Sequence, residues 1–299
     1  MTVEVEGIAF NNLGLAYDNL GQYQQAIDFY ERSLTISQEI GDRQSEGIAL
    51  RNLGFAYDNL GDYERALDFY AQSLAISQEI GDRRSEGRAF SNLGLAYDNL
   101  GQYQQAIDFY EQSLAISQEI GDRQGEGRTL GNLGLVYNNL GQYQQAIEFN
   151  EQSLSISHEI GDLASKSRTL TNIGNIYYSM DNYMEAHVYF HHSLAISREI
   201  GDRSGEASVL SAIGFLLMKQ EQFELAIVFL KQAVDTYESI RGDLRGLKQE
   251  FQASYTSTIE DTYRQLADLL LQQDRILEAQ QILDLLKIQE LEEYLQDVR

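Results

Sequence analysis

The sequence predicts an all-α solenoid of stacked helical hairpins, on three observations. The first is a 40-residue period. "GD" falls at 41, 81, 121, 161 and 201, and once more, one place late, at 242. Glycine recurs at 14, 54, 94, 134, 174 and 214, and alanine at 26, 66, 106, 146, 186 and 226. The second is helical spacing inside each period. Phe10, Leu13, Gly14, Tyr17 and Leu20 share one face of a first helix, and Tyr23, Ala26, Ile27, Tyr30, Leu34 and Ser37 one face of a second. The third is that no segment reads as a strand.

Taken in order, each element has a local cause. Gly21 can adopt the left-handed conformation that ends the first helix, and Gly41 ends the second in the same way. Asp42 then stands at an N-cap position, with Glu46 in the first turn that follows. Gly14 and Ala26 are expected to face each other across the hairpin, with Tyr17 and Tyr30 beside them. Glycine inside a helix costs about 1 kcal/mol relative to alanine, so its repetition signals packing pressure. A single hairpin cannot bury its own apolar face, whereas a stack can.

Residues 1–241 read as six such repeats, and 242–299 as a degenerate seventh with capping helices. Leu266, Ala267, Leu270 and Ala279 echo the pattern there, and a helical break is expected near 254–258. The final helix stays apolar through Leu283, Leu286, Leu291, Tyr294 and Leu295, which makes it either a closing cap or a candidate homodimer surface.

With 299 residues, 43% of them apolar, the chain can build a substantial core. The net charge of −24 argues against nucleic-acid and anionic-membrane partners, which require basic surface. There is no cysteine, no apolar run of bilayer length and no basic-then-apolar leader, so a cytoplasmic location is expected. No phosphate loop or nucleophile elbow is spelled, and neither cofactor nor enzymatic activity is expected. His187 and His191, with His192 beside them, could hold a metal only with a third ligand, and read more simply as an exposed patch. The many acidic residues read as solvated surface.

The pattern Leu13-Gly14-x-x-Tyr17, then Ala26-x-x-x-Tyr30, resembles the tetratricopeptide repeat in six units over roughly residues 5–240. The family's early Trp is replaced by Phe10 and its equivalents, and its late Pro is absent. The 40-residue period exceeds the family's usual length, so the second helix is expected to be the longer one. The resemblance implies a right-handed superhelix whose first helices line a concave groove. Among 40-residue repeats it points to peptide-binding polarity scaffolds of animals and to bacterial, notably cyanobacterial, repeat proteins. The segment "LEAQQILDLLKIQELEEYL" resembles the join to a caspase-like peptidase (CHAT) domain, implying that a further domain follows Arg299 in the native protein.

The face of each first helix opposite the core carries Ile8, Asn12, Leu15 and Asn19 in the first unit. It carries Arg88, Asn92, Leu95 and Asn99 in the third, and Arg128, Asn132, Leu135 and Asn139 in the fourth. A plainly solvated face would carry Lys, Glu and Gln instead. Asn offers both donor and acceptor to a peptide unit, and Arg grips carboxylates bidentately. The candidate groove set is therefore Asn12, Asn52, Asn92, Asn132, Asn172 and Asn175 with Arg51, Arg88, Arg128 and Arg168. Its expected partner is a peptide or protein segment, including one bearing acidic residues. The ligand motif of the polarity scaffolds, R-x-x-x-N-x-G-N, is matched in full only by Arg168, Asn172 and Asn175. Two readings compete with a ligand role. The Asn could bridge adjacent hairpins, and the Arg could pair with Asp58, Asp98 or nearby Glu. At the level of function, an interaction scaffold stands beside a self-associating solenoid and a receptor of the peptide-pheromone type.

Overall fold

A computed structural model describes the backbone of residues 3–244 and 249–297 and the side chains of 3–242 and 259–286. By compactness the chain divides into two units, Met1–Gly161 and Asp162–Arg299. The described residues are helices joined by tight turns, as the period predicts.

The first unit holds four hairpins: α1 (Val3–Asn19) with α2 (Tyr23–Ile40), α3 (Arg43–Asn59) with α4 (Tyr63–Ile80), α5 (Arg83–Asn99) with α6 (Tyr103–Ile120), and α7 (Arg123–Asn139) with α8 (Tyr143–Glu159). The second unit holds α9 (Leu163–Ser179) with α10 (Tyr183–Ile200), α11 (Arg203–Lys219) with α12 (Phe223–Leu244), and α13 (Gln249–Gln272) with α14 (Ile276–Asp297). The second helices exceed the first by only one residue in most repeats, 18 against 17, so the long period is shared between both.

Gly41 ends α2 at φ 71°, and the Asp42 side chain accepts from the Ser45 amide at 3.1 Å to start α3. At the far end α12 runs on through Gly242, and Arg241 beside it is buried and paired with Glu238 one turn back. The break expected near 254–258 is not there, since α13 is continuous from Gln249 to Gln272.

Four hairpins are closed by a glycine set against a ring, at Gly14, Gly54, Gly94 and Gly174, while Gly134 meets the Asn150 side chain instead. A Cβ on Gly94 would lie 2.7 Å from Tyr110, and one on Gly54 2.6 Å from Tyr70. The partner of the glycine is thus the Tyr30-type ring itself, with Ala26 fully buried alongside. Phe190 and Leu230 fill the same place in the second unit. A second close approach sets Gly47, Gly87 and Gly127 against Ile76, Ile116 and Ile156. Stacked pairs such as Tyr57–Phe69, 5.4 Å apart and nearly parallel, fill the space beside them.

The ends at which one hairpin joins the next are tied by a repeated clamp. Arg43 pairs with Glu46 on its own helix and with Glu79 at the end of α4, while Gln38 of α2 donates to Glu46 at 3.1 Å. Arg83 and Arg123 repeat this with Glu86, Glu119, Glu126 and Glu159. Glu46, Glu86 and Glu126 are buried, so acidic residues that obey the repeat are not all solvated surface. Each has two partners to offset its desolvation.

In the second unit Leu266, Ala267, Leu270 and Ala279 are all buried, which makes α13–α14 a seventh hairpin. Leu286 packs into its core and Leu283 packs against it. Leu291, Tyr294 and Leu295 lie outside the described side chains. No helix among the described residues is long and apolar enough to cross a membrane.

If the glycine–ring contact sets the hairpin, Gly94→Ala will overpack it. After the ~1 kcal/mol gain in helix propensity, a net loss of about 1–2 kcal/mol is expected. It will be read as a lower urea midpoint of the helical ellipticity, and an unchanged midpoint contradicts the contact.

Candidate functional site: the face of the first helices

In the first unit α1, α3, α5 and α7 approach one another directly across the repeat, whereas no pair of even-numbered helices does so among the described residues. The odd face is therefore the inner, concave side of that unit's stack. Hydrogen bonds cross it. Asn52 donates to Asn11 at 2.9 Å, and Asn99 donates to Asp58 at 3.2 Å.

The expected groove residues fall into two groups. Arg88 and Arg128 are exposed and hold no ion pair within 4 Å among the described residues, although Arg88 helps hold the Asp82 carboxyl low, after the Ser85 hydrogen bonds. Asn12 is exposed, and Asn92 and Asn132 are half-buried with amides free of hydrogen bonds. Leu15, Phe55 and Leu135 lie 38–45% exposed on the same face. Asn52 differs, being buried between hairpins and bound to Asn11. Arg51 is half-buried against it; burial, then the charge of Arg88, lowers its pKa. In the second unit Arg168 and Asn175 are exposed and Asn172 is half-buried.

Sequence reasoning missed two features of this face. One is a row of acids in the first unit. Asp18, Asp58 and Asp98 occupy the same place on α1, α3 and α5, half-buried, and burial raises all three. Asp18 is raised to about 6. A hydrogen bond from Asn99 tempers the rise at Asp58, and one from Asn139 tempers it at Asp98. Asn59 instead turns back onto the Phe55 carbonyl at 2.9 Å, leaving Asp18 without that donor. The other feature is a cavity of about 550 Å³ in the second unit, lined by Tyr178, Phe215, Met218 and Phe223 with Lys219 and Asp261 at its edge. The sequence did carry a signal for it. The position that is Asp18, Asp58, Asp98 and Asn138 in the first four repeats becomes Tyr178 and Met218 in the next two.

His187 and His191 are half-buried rather than exposed. Their Nε2 atoms are 3.2 Å apart, and burial, then the neighbouring charge of His187, lowers His191. No group of three His, Cys, Asp or Glu suited to a metal occurs among the described residues.

A stack of glycine-closed hairpins presenting a recessed, chemically repeated face is a binding scaffold by class. The sequence profile of the tetratricopeptide repeat matches residues 6–79, 85–158 and 165–239, and the chain belongs to that family. No curated protein matches it. Among solved structures it is similar in fold to aspartyl phosphate phosphatase F from Bacillus subtilis, at 18% identity and TM-score 0.70, over 95% of this chain and 70% of that one. The apo form of RapI aligns at 16% identity and TM-score 0.68, over 95% and 97%. BtubC (BKLC) from P. vanneervenii aligns at 22% and 0.59, over 67% and 82%. At these identities the likeness is one of fold.

The raised pKa of Asp18 has a signed consequence. An unfolded Asp ionises near 3.9, so between about pH 4 and 6 the folded chain holds the extra proton. Stability from this group is full below about pH 4 and is lost as pH rises through 6. Asp18→Asn should therefore raise the melting temperature at pH 7.5 and leave it nearly unchanged at pH 4. Equal gains at both values would show that burial of the charge is not the cause.

Proposed function

We propose that this chain is a non-catalytic interaction scaffold that holds an extended polypeptide segment against the face of its odd-numbered helices. The observation that carries the reading is the combination on that face of partly exposed Leu, free Asn amides and unpaired Arg, present together in the third and fourth hairpins. A solvated helix surface has no need of apolar residues there. An extended segment has one donor and one acceptor per residue, and Asn92 and Asn132 can meet both. Leu95, Leu135 and Phe55 supply contact area. Arg88 and Arg128 can take carboxylates of the segment, and Arg168 with Asn172 and Asn175 can do the same in the second unit.

The fold and family support an interaction scaffold, and the groove chemistry supports a peptide-like occupant. We assign no catalytic step to it. The resemblance to bacterial repeat proteins makes a signalling context the natural setting.

A peptide library displayed against the immobilised chain should enrich extended segments. Their affinity should fall by roughly tenfold or more in the Asn92→Ala/Asn132→Ala variant and fall again in Arg88→Glu/Arg128→Glu, with helical ellipticity unchanged. Enriched peptides indifferent to both variants would refute the groove.

A further inference from the structure

We propose that the first unit's concave seam is built to take the cationic side chains of the bound segment, with Lys or Arg at every third residue docking on Asp18, Asp58 and Asp98. The proposal rests on the groove reading above and gives it a partner chemistry.

Two independent observations point to a cation. The first is the row of carboxylates itself, one per hairpin, in a protein of net charge −24. The second lies behind it. Tyr30, Tyr70 and Tyr110 are fully buried, their hydroxyls hold no hydrogen bond, and burial first, then the Asp18, Asp58 and Asp98 carboxylates, pushes these phenols up. Asp18, Asp98 and Asn138 each keep a buried oxygen without a donor. A buried acceptor left unmet costs about 1–3 kcal/mol, and here a partner is missing at Asp18 and Asp98 and at the tyrosine behind each of the three carboxylates, while Asp58 already accepts from Asn99. Every orphan on it can accept a hydrogen bond. The group that completes it is an N–H, and a charged one also offsets the desolvated carboxylates.

The protein's own cations do not fill this role. Arg51 reaches the seam near Tyr30 and Tyr70, and its weakly held hydrogen bond goes to Asn52 at 3.5 Å. Arg88 stands ten residues before Asp98 on α5. That is about 15 Å along the helix, beyond the Debye length of about 8 Å at physiological salt. A ligand cation at the Asp row is therefore little repelled by the Arg row, and one segment can meet both.

The repeat sets the spacing. Side chains of adjacent odd helices bond directly, Asn99 to Asp58 at 3.2 Å, so the helix axes lie roughly 10 Å apart. An extended chain advances about 3.3 Å per residue. Three residues of ligand therefore span one hairpin.

The test uses three fluorescent peptides of equal length on a Gly/Ser background: lysine at every third position, the same lysines in one block, and glutamate at every third position. Anisotropy is read with the intact chain, with each single Asp→Asn variant at 18, 58 and 98, and with the triple variant, each checked by ellipticity. The spaced-lysine peptide should bind best, weaken roughly tenfold per carboxylate removed, and lose affinity with salt. Equal binding of the blocked lysines, or retention by the triple variant, overturns the assignment. Tighter binding of the glutamate peptide that depends on Arg88 and Arg128 overturns it too, while leaving the groove itself intact. If no peptide of the three binds but library-selected segments do, the cation assignment alone falls.

Discussion

The contact of a helical glycine with the ring one hairpin-arm away is the constraint on which the rest depends. A Cβ at Gly54 or Gly94 would stand 2.6 or 2.7 Å from ring carbons, so the two helices of these hairpins lie closer than a side chain at the glycine would allow without a shift. That closeness buries the tyrosine completely. Its hydroxyl nevertheless feels the charge of the Asp18 row, so the packing residue and the acids of the seam are electrostatically coupled.

The two ends of each hairpin are polar in opposite ways. Where one hairpin joins the next, Arg43, Arg83 and Arg123 each satisfy two carboxylates, and the buried Glu46, Glu86 and Glu126 are fully partnered. At the other end Asp18 and Asp98 keep unmet oxygens. A fold that can pair its acids so completely in one place, three times over, leaves them unpaired in another. Polar groups are retained at such a cost where they are used, and stability is commonly traded for function in this way.

The hairpins, their turns and their caps were legible because each is dictated by residues within forty of one another: Gly41 for a left-handed turn, Asp42 for a cap, Gly14 and Tyr30 for closure. The degenerate seventh hairpin was legible for the same reason, from Leu266 to Ala279. What escaped were properties that depend on the neighbour one repeat away. Asn52 and Asn92 have the same spelling, yet Asn52 is taken by Asn11, while the equivalent position one hairpin back from Asn92 is Arg51. Asp18 and Asp58 look alike, yet only Asp58 receives an amide from the next hairpin. The aromatic cavity of the second unit required the departures Tyr178 and Met218 to be seen together on adjacent helices.

Identical joints make interchangeable parts. Gly47 against Ile76, Gly87 against Ile116 and Gly127 against Ile156 are one joint made three times, and the clamp beside each is likewise a copy. A lineage carrying such a chain can lengthen or shorten its trough by whole modules through unequal crossing-over, with no novel surface to perfect at the splice. The length of the stack is then set by copy number, while the chemistry of each module is left free to differ residue by residue, as it does at Asn138 and Tyr178.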